Sequence, residues 1–146
     1  MSRYRHVLAA LDFSAAAEQV ARRALEIARR NEAELTFLHV VEYVPPLDLG
    51  YEPMVAPDWL PEEEDLLKVA RARLEELAGR LEAREAHLRV EWGHPRNDVV
   101  RLAGEIGADL VVIGSHGRRG ITRLLGSTAD AVLHHAPCDV LAVRIR

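Results

Sequence analysis

Five short apolar runs alternate along the chain with stretches of helical periodicity. The runs are Val7-Leu8-Ala9-Ala10-Leu11, Leu35 to Val41, Leu88-Arg89-Val90-Glu91-Trp92, Asp109-Leu110-Val111-Val112-Ile113 and Val140-Leu141-Ala142-Val143. The first and fourth are apolar enough for strands buried on both faces, while the third alternates with period two and reads as half exposed. Between them, Val20, Ala21, Ala24, Leu25, Ile27 and Ala28 recur at helical spacing after Ser14, which reads as the N-cap. Leu66, Leu67, Ala70, Leu74, Leu77, Ala78 and Leu81 mark a second helix, with Glu75 and Arg80 on its wet side. A third carries Val99, Val100, Leu102, Ala103 and Ile106, opens at Arg96 or Asn97 and ends at Gly107 as C′. The last runs from Ser127 to His135 and stops before Pro137. A βαβαβαβαβ order demands parallel pairing with right-handed crossovers. Five such strands make an open doubly wound α/β sheet with helices on both faces, and ligands of such sheets bind beyond the carboxyl ends of the strands, at the topological switch point.

The 146 residues suit one domain, 1–146, and the 49% hydrophobic content supplies a core. A net charge of −4 argues against general nucleic-acid binding and against a polybasic membrane-surface protein. Cys138 is the one cysteine, so no intrachain disulfide forms. No apolar run approaches the ~20 residues of a membrane span, so no membrane insertion is expected. The start, Met1 to His6, leads into a strand without the apolar region of a signal peptide. The expected location is the cytoplasm. The stretch through Pro45, Pro46, Pro53, Pro57 and Pro61 reads as loop.

The fourth strand runs into Gly114-Ser115-His116-Gly117-Arg118-Arg119-Gly120, and Gly126-Ser127-Thr128 then opens a helix. Glycines let backbone N–H groups approach a phosphate, and a helix start offers unsatisfied N–H groups and a positive dipole end. Ser115, Ser127 and Thr128 add hydroxyls, and Arg118, Arg119 and Arg123 raise the potential. The bland alternative is that the glycines serve tight turns and Ser127 only caps its helix. A loop between a buried parallel strand and a helix favours the phosphate reading. Neither a G-x-x-x-x-G-K-[ST] loop nor a G-x-G-x-x-G fingerprint occurs.

Other conspicuous residues weigh less. Asp12 ends the first strand at the switch point, as a ligand contact or as a helix cap. A phosphoacceptor aspartate would want a partner after the third strand, where Trp92-Gly93-His94 stands instead. His116 could touch a phosphate or make a hydrogen bond within the loop. His134 and His135 close a helix without partner ligands at helical spacing, and His6 and His39 read as packed. Cys138 reads as a small buried hydrophobe, and Glu62-Glu63-Glu64-Asp65 as a solvated helix start.

Gly114-Ser115-His116-Gly117, Gly120, Gly126-Ser127 and Ala136-Pro137-Cys138-Asp139-Val140-Leu141-Ala142-Val143 closely resemble the C-terminal signature of universal stress proteins. Val7 to Ser14 and Leu38-His39-Val40-Val41 resemble that family's first two strands. The resemblance covers nearly the whole chain. It implies a Rossmann-like sheet of order 3-2-1-4-5, of the adenine nucleotide alpha hydrolase-like kind, and a homodimer. In the nucleotide-binding branch it implies ATP across the ends of strands one and four. By position, Gly114, Gly117, Gly126 and Ser127 match the phosphate and ribose loop, with His116 and Thr128 beside it. Asp12 matches the acidic residue near the adenosine, and Ala10 and Val40 match positions beside the adenine. Eight residues separate Gly117 from Gly126, one fewer than the family's ATP-binding pattern.

Three functions follow in order. The first is a stress-response regulatory protein switched by ATP, ADP or AMP, with magnesium or manganese where a di- or triphosphate binds. In that reading the nucleotide biases the glycine loop and the proline-rich segment toward a protein partner not identifiable from sequence. The second is a ligand-independent dimeric interaction module, kept open by the short spacing. The third, a phosphotransfer or hydrolytic enzyme, lacks a nucleophile–base pair, so slow ATP hydrolysis is the most to expect. The homodimer would form through the last strand, Val140 to Ile145, if that strand is a sheet edge.

Overall fold

The computed structural model of the protein describes residues 3–42, 62–115 and 125–144. Its elements are β1 (His6–Ala10), α1 (Ala17–Asn31), β2 (Glu34–Glu42), α2 (Glu63–Arg80), β3 (His87–Gly93), α3 (Pro95–Glu105), β4 (Leu110–Gly114), α4 (Ser127–His135) and β5 (Asp139–Val143). The strands form one parallel sheet in the order β3-β2-β1-β4-β5, as the periodicity and the family resemblance predict. The prolines from 45 to 61 and Ile145 lie outside the described residues.

The two-residue period of the strands sorts the core into two layers. Val7 and Ala9 of β1, Leu35 and Phe37 of β2, and Leu110 and Val112 of β4 pack with α1 and with Leu74 and Leu77 of α2. Leu8, Leu38, Val40, Val111 and Ile113 face the other way, onto α3 and onto Ala129 and Val132 of α4. Helices therefore cover both faces, which is why β1 and β4 read as continuous apolar runs. The outer face of α1 carries ion pairs such as Arg22 with Glu18 at 3.0 Å and Arg30 with Glu26 at 2.8 Å. Exposed pairs of this kind each contribute about 0.3–0.5 kcal/mol.

Local differences from the sequence expectations have local causes. Ser14 does not cap α1, because the residues after β1 first make a turn of their own and the helix starts at Ala17. Helix α3 opens earlier than expected. Pro95 occupies its first turn, where its fixed φ is favourable and no N–H is needed. Asp98 Oδ2 reaches back to accept the His94 N–H at 2.7 Å. Gly107 has the positive φ, 69°, of a glycine after a helix end. On α2 the partner of Arg80 is Glu76, one turn back at 3.4 Å, and Glu75 pairs with Arg71. At the helix after β4, Gly126 is the cap residue and Ser127 the first helical position.

Candidate functional site

The strand order places a crevice between β1 and β4. Ala10, the last residue of β1, lies opposite Leu38 of β2 and Ile113 of β4. From β1 the chain leaves for α1 on one face, and from β4 it leaves for α4 on the other. This divergence is the switch point at which doubly wound sheets bind ligands.

The expected site residues within the described structure converge there. Ala10 and Val40 both belong to the α3/α4 face, Val40 buried and Ala10 half-buried. Gly114 ends β4 opposite Val143 of β5. Ser115 is buried, and its N–H donates to the Val143 carbonyl at 2.9 Å. The Ser115 carbonyl in turn accepts the Gly126 N–H at 2.7 Å. The chain that leaves β4 is thus returned beside its point of departure, and α4 begins at the sheet edge. Gly126 is extended, with φ −63° and ψ 155°, and among the described residues no side chain caps the helix it opens. Ser127 and Thr128 occupy the first turn, so N–H groups uncapped among the described residues and the positive end of the α4 dipole stand at the carboxyl end of β4. Asp130, exposed in the same turn, offsets part of that field. His116, Gly117, Arg118, Arg119, Gly120 and Arg123 lie outside the described residues.

Asp12 follows β1 on the rim of the crevice. Its Oδ1 accepts the Ser14 N–H at 3.0 Å, an Asx turn. The turn continues as Ser14 Oγ accepts the Ala16 N–H at 3.3 Å and the Ser14 carbonyl accepts the Ala17 N–H at 3.0 Å. Between Asp12 and Ser14 stands Phe13, with φ 59°. Its ring stacks on His39 with centroids 4.0 Å apart, and the Arg73 guanidinium lies 4.4 Å from the ring centroid. The buried His39 has Nδ1 2.6 Å from the Leu11 carbonyl. Sequence reading took His39 as packed and passed over Phe13 and Arg73. The available signal was a histidine inside an apolar strand.

Two further features lie away from this crevice. A groove of about 330 Å³ runs between α3 and α4, lined by Arg96, Asn97, Val100, Asp130 and His134 among others, and includes none of the expected site residues. Among the described residues no cluster of three or more potential metal ligands occurs. Three groups with shifted ionisation, Tyr4, Asp109 and Cys138, lie at the opposite, amino end of the sheet. Burial, then the neighbouring Asp139 and Asp109, push the Cys138 thiol up. Tyr4 is raised, first by its hydrogen bond to Asp139. Burial pushes Asp109 up, but hydrogen bonds from the His6 and Arg5 N–H groups outweigh it and hold its carboxyl below the usual range.

Residues 3–144 match the model of the Universal stress protein family. The chain is 37% identical over 147 aligned positions to Universal stress protein A homolog 2 of Coxiella burnetii, covering 100% of this chain and 99% of that one. Homolog 1 of the same organism is 39% identical, with 96% of each chain covered. Among solved structures, the universal stress protein UspA from Lactobacillus plantarum superposes with a TM-score of 0.76 at 28% identity, over the whole of both chains. A universal stress protein crystallised in complex with cAMP superposes with a TM-score of 0.69 at 30% identity, over 97% of this chain and 98% of that one.

Proposed function

The chain belongs to the universal stress protein family, and from that premise we propose that it is a stress-response regulator that binds an adenine nucleotide at the β1/β4 crevice. The observation that carries this reading is the start of α4. The N–H groups of the first α4 turn, uncapped among the described residues and opened by a residue without a Cβ, lie at the carboxyl end of β4, the strand next to that of Ala10, on the sheet face that Ala10 and Val40 share. That pairing suits a ligand with a phosphate at one end and a flat base at the other. The Ser127 and Thr128 hydroxyls add donors in the same turn, and Gly114 permits close backbone approach. Asp12 supplies an acceptor for the ribose. The relative in complex with cAMP, an adenine nucleotide with a single phosphate, supports the ligand class. Where a di- or triphosphate binds, magnesium or manganese would bridge its oxygens and moderate its charge. His116 and Gly117 complete the proposed set from the loop.

In this reading the protein acts by binding. The output is a nucleotide-dependent surface for a protein partner in the cytoplasm. The eight-residue interval from Gly117 to Gly126 favours one second reading, a dimeric interaction module whose crevice takes no ATP. In both readings the homodimer forms through β5.

Calorimetric titration of nucleotide-stripped protein with ATP, ADP and AMP, each with magnesium, tests the choice. Binding of any of the three, abolished in a folded Gly126→Val variant, is the expected result. Absence of both heat and thermal shift with every nucleotide would leave the interaction module.

A further inference from the structure

The turn at the carboxyl end of β1 holds a strained residue next to Asp12. Phe13 has φ 59°, a left-handed conformation that a bulky side chain avoids. Such a residue persists only where its surroundings over-determine it. Here three elements do so. The Leu11 N–H donates to the Leu38 carbonyl at 2.8 Å, which continues the β1–β2 ladder up to the turn. The Leu11 carbonyl lies 2.6 Å from His39 Nδ1, fixing the imidazole under the turn. The Phe13 ring then stacks on that imidazole at an interplanar angle of 28°, and Arg73 of α2 lies over the ring. The imidazole and the guanidinium, 4.0 and 4.4 Å from one centroid, hold the ring from β2 and from α2. The ring also packs against the α1/α2 core layer, whereas Ala10 and Val40 lie on the other layer.

We infer that Phe13 is a positioning residue: its ring, clamped by His39 and Arg73, holds the left-handed turn that presents Asp12 to the ligand. The inference rests on the nucleotide-binding reading, to which it adds a part that touches no ligand. Without the ring, a Cβ-bearing residue at position 13 keeps the backbone strain and loses what opposes it. The turn then relaxes, Asp12 leaves its place for part of the time, and apparent affinity falls by the fraction of molecules still competent. Glycine at the same position carries neither the ring nor the strain.

The test uses Phe13→Ala, Phe13→Gly and Phe13→Tyr in the full chain. Affinity for ATP, ADP and AMP is measured by calorimetry, and amide exchange at Ser14, Ala16 and Ala17 is followed in ligand-free protein. Phe13→Ala is expected to weaken binding about tenfold, as for a turn competent about a tenth of the time, and to speed exchange at these amides. Phe13→Gly should recover most of the affinity, and Phe13→Tyr should match wild type in both readouts. Equal losses in Phe13→Ala and Phe13→Gly would mean that the ring serves the ligand directly, and would overturn the inference. Wild-type affinity or unchanged exchange in Phe13→Ala would overturn it as well. If wild-type protein binds no adenine nucleotide, the proposed function falls. Exchange at Ser14, Ala16 and Ala17 then decides the clamp: faster in Phe13→Ala than in Phe13→Tyr upholds it, and equal rates reject it.

Discussion

At the scale of single residues, Asp12 has one observed job, accepting the Ser14 N–H, and one proposed job at the ligand, and substitution can separate them. Asparagine keeps an oxygen for the Ser14 N–H and removes the charge. Asp12→Asn should therefore leave stability within about 0.5 kcal/mol, yet weaken nucleotide binding about tenfold if the charged acceptor contacts the ribose. Asp12→Ala should lower both. Thermal melts beside calorimetry check the split. Gly93 gives a stability prediction unrelated to the ligand. A Cβ there would run into the Asp98 carboxylate that accepts the His94 N–H. Gly93→Ala should cost about 1 kcal/mol through loss of this helix-start bond, read as a lower denaturant midpoint with an unchanged slope. Neither feature of Gly93 was legible in the sequence, where Gly93-His94-Pro95 reads only as a turn. A side chain five residues away makes the glycine necessary, and periodicity does not report such reach. Phe13 was missed for the same reason. Its strain is held by His39 and Arg73, which are distant in sequence and adjacent only after folding.

At the scale of elements, the sequence carried more. Strands β1 and β4 were legible because burial on both faces leaves unbroken apolar runs, and β2 because its run is broken only by Thr36 and His39. Helix α1 was legible because its buried positions Val20, Ala21, Ala24, Leu25 and Ala28 follow the helical period. The helix starts were less so. Ser14 and Ser127 have the composition of caps, but a turn intervenes before α1, and Gly126 takes the cap position of α4. The amino ends of β1 and β4 are joined by Asp109. Its carboxylate accepts the Arg5 and His6 N–H groups at 2.8–3.1 Å, while its own N–H donates to the His6 carbonyl at 3.1 Å. Because the folded state holds this carboxyl below its ordinary value of 3.8, its contribution is complete above that value and is lost as pH falls through the lower folded one. The stability gap between wild type and Asp109→Asn should thus be full at neutral pH and should narrow below about pH 4. Urea titrations across that range check it. A gap that stays constant would mean that the carboxyl is not held low.

At the scale of the whole molecule, the switch point was legible because βα alternation allows few sheet orders, and the family resemblance selected 3-2-1-4-5 among them. The two sheet edges are β3 and β5. Among the described residues no strand pairs with the outer edge of β5, which a second copy would cover. A dimer mass in sedimentation at micromolar protein is the expected result, and proline in place of Leu141 should shift it toward monomer if its N–H bonds across the edge. A monomer for the wild type would remove the dimer from both functional readings. The hydrogen bond from Gly126 to Ser115 has a consequence for how such a protein can change over time. It closes the chain on itself between residues 115 and 126, at the end of β4. Doubling the length of a closed loop costs only about 0.6 kcal/mol, so adding or deleting one residue there is nearly free for the fold. Ligand preference can then drift by single-residue insertions and deletions while the scaffold stays the same, and close relatives with one architecture can come to answer different metabolites.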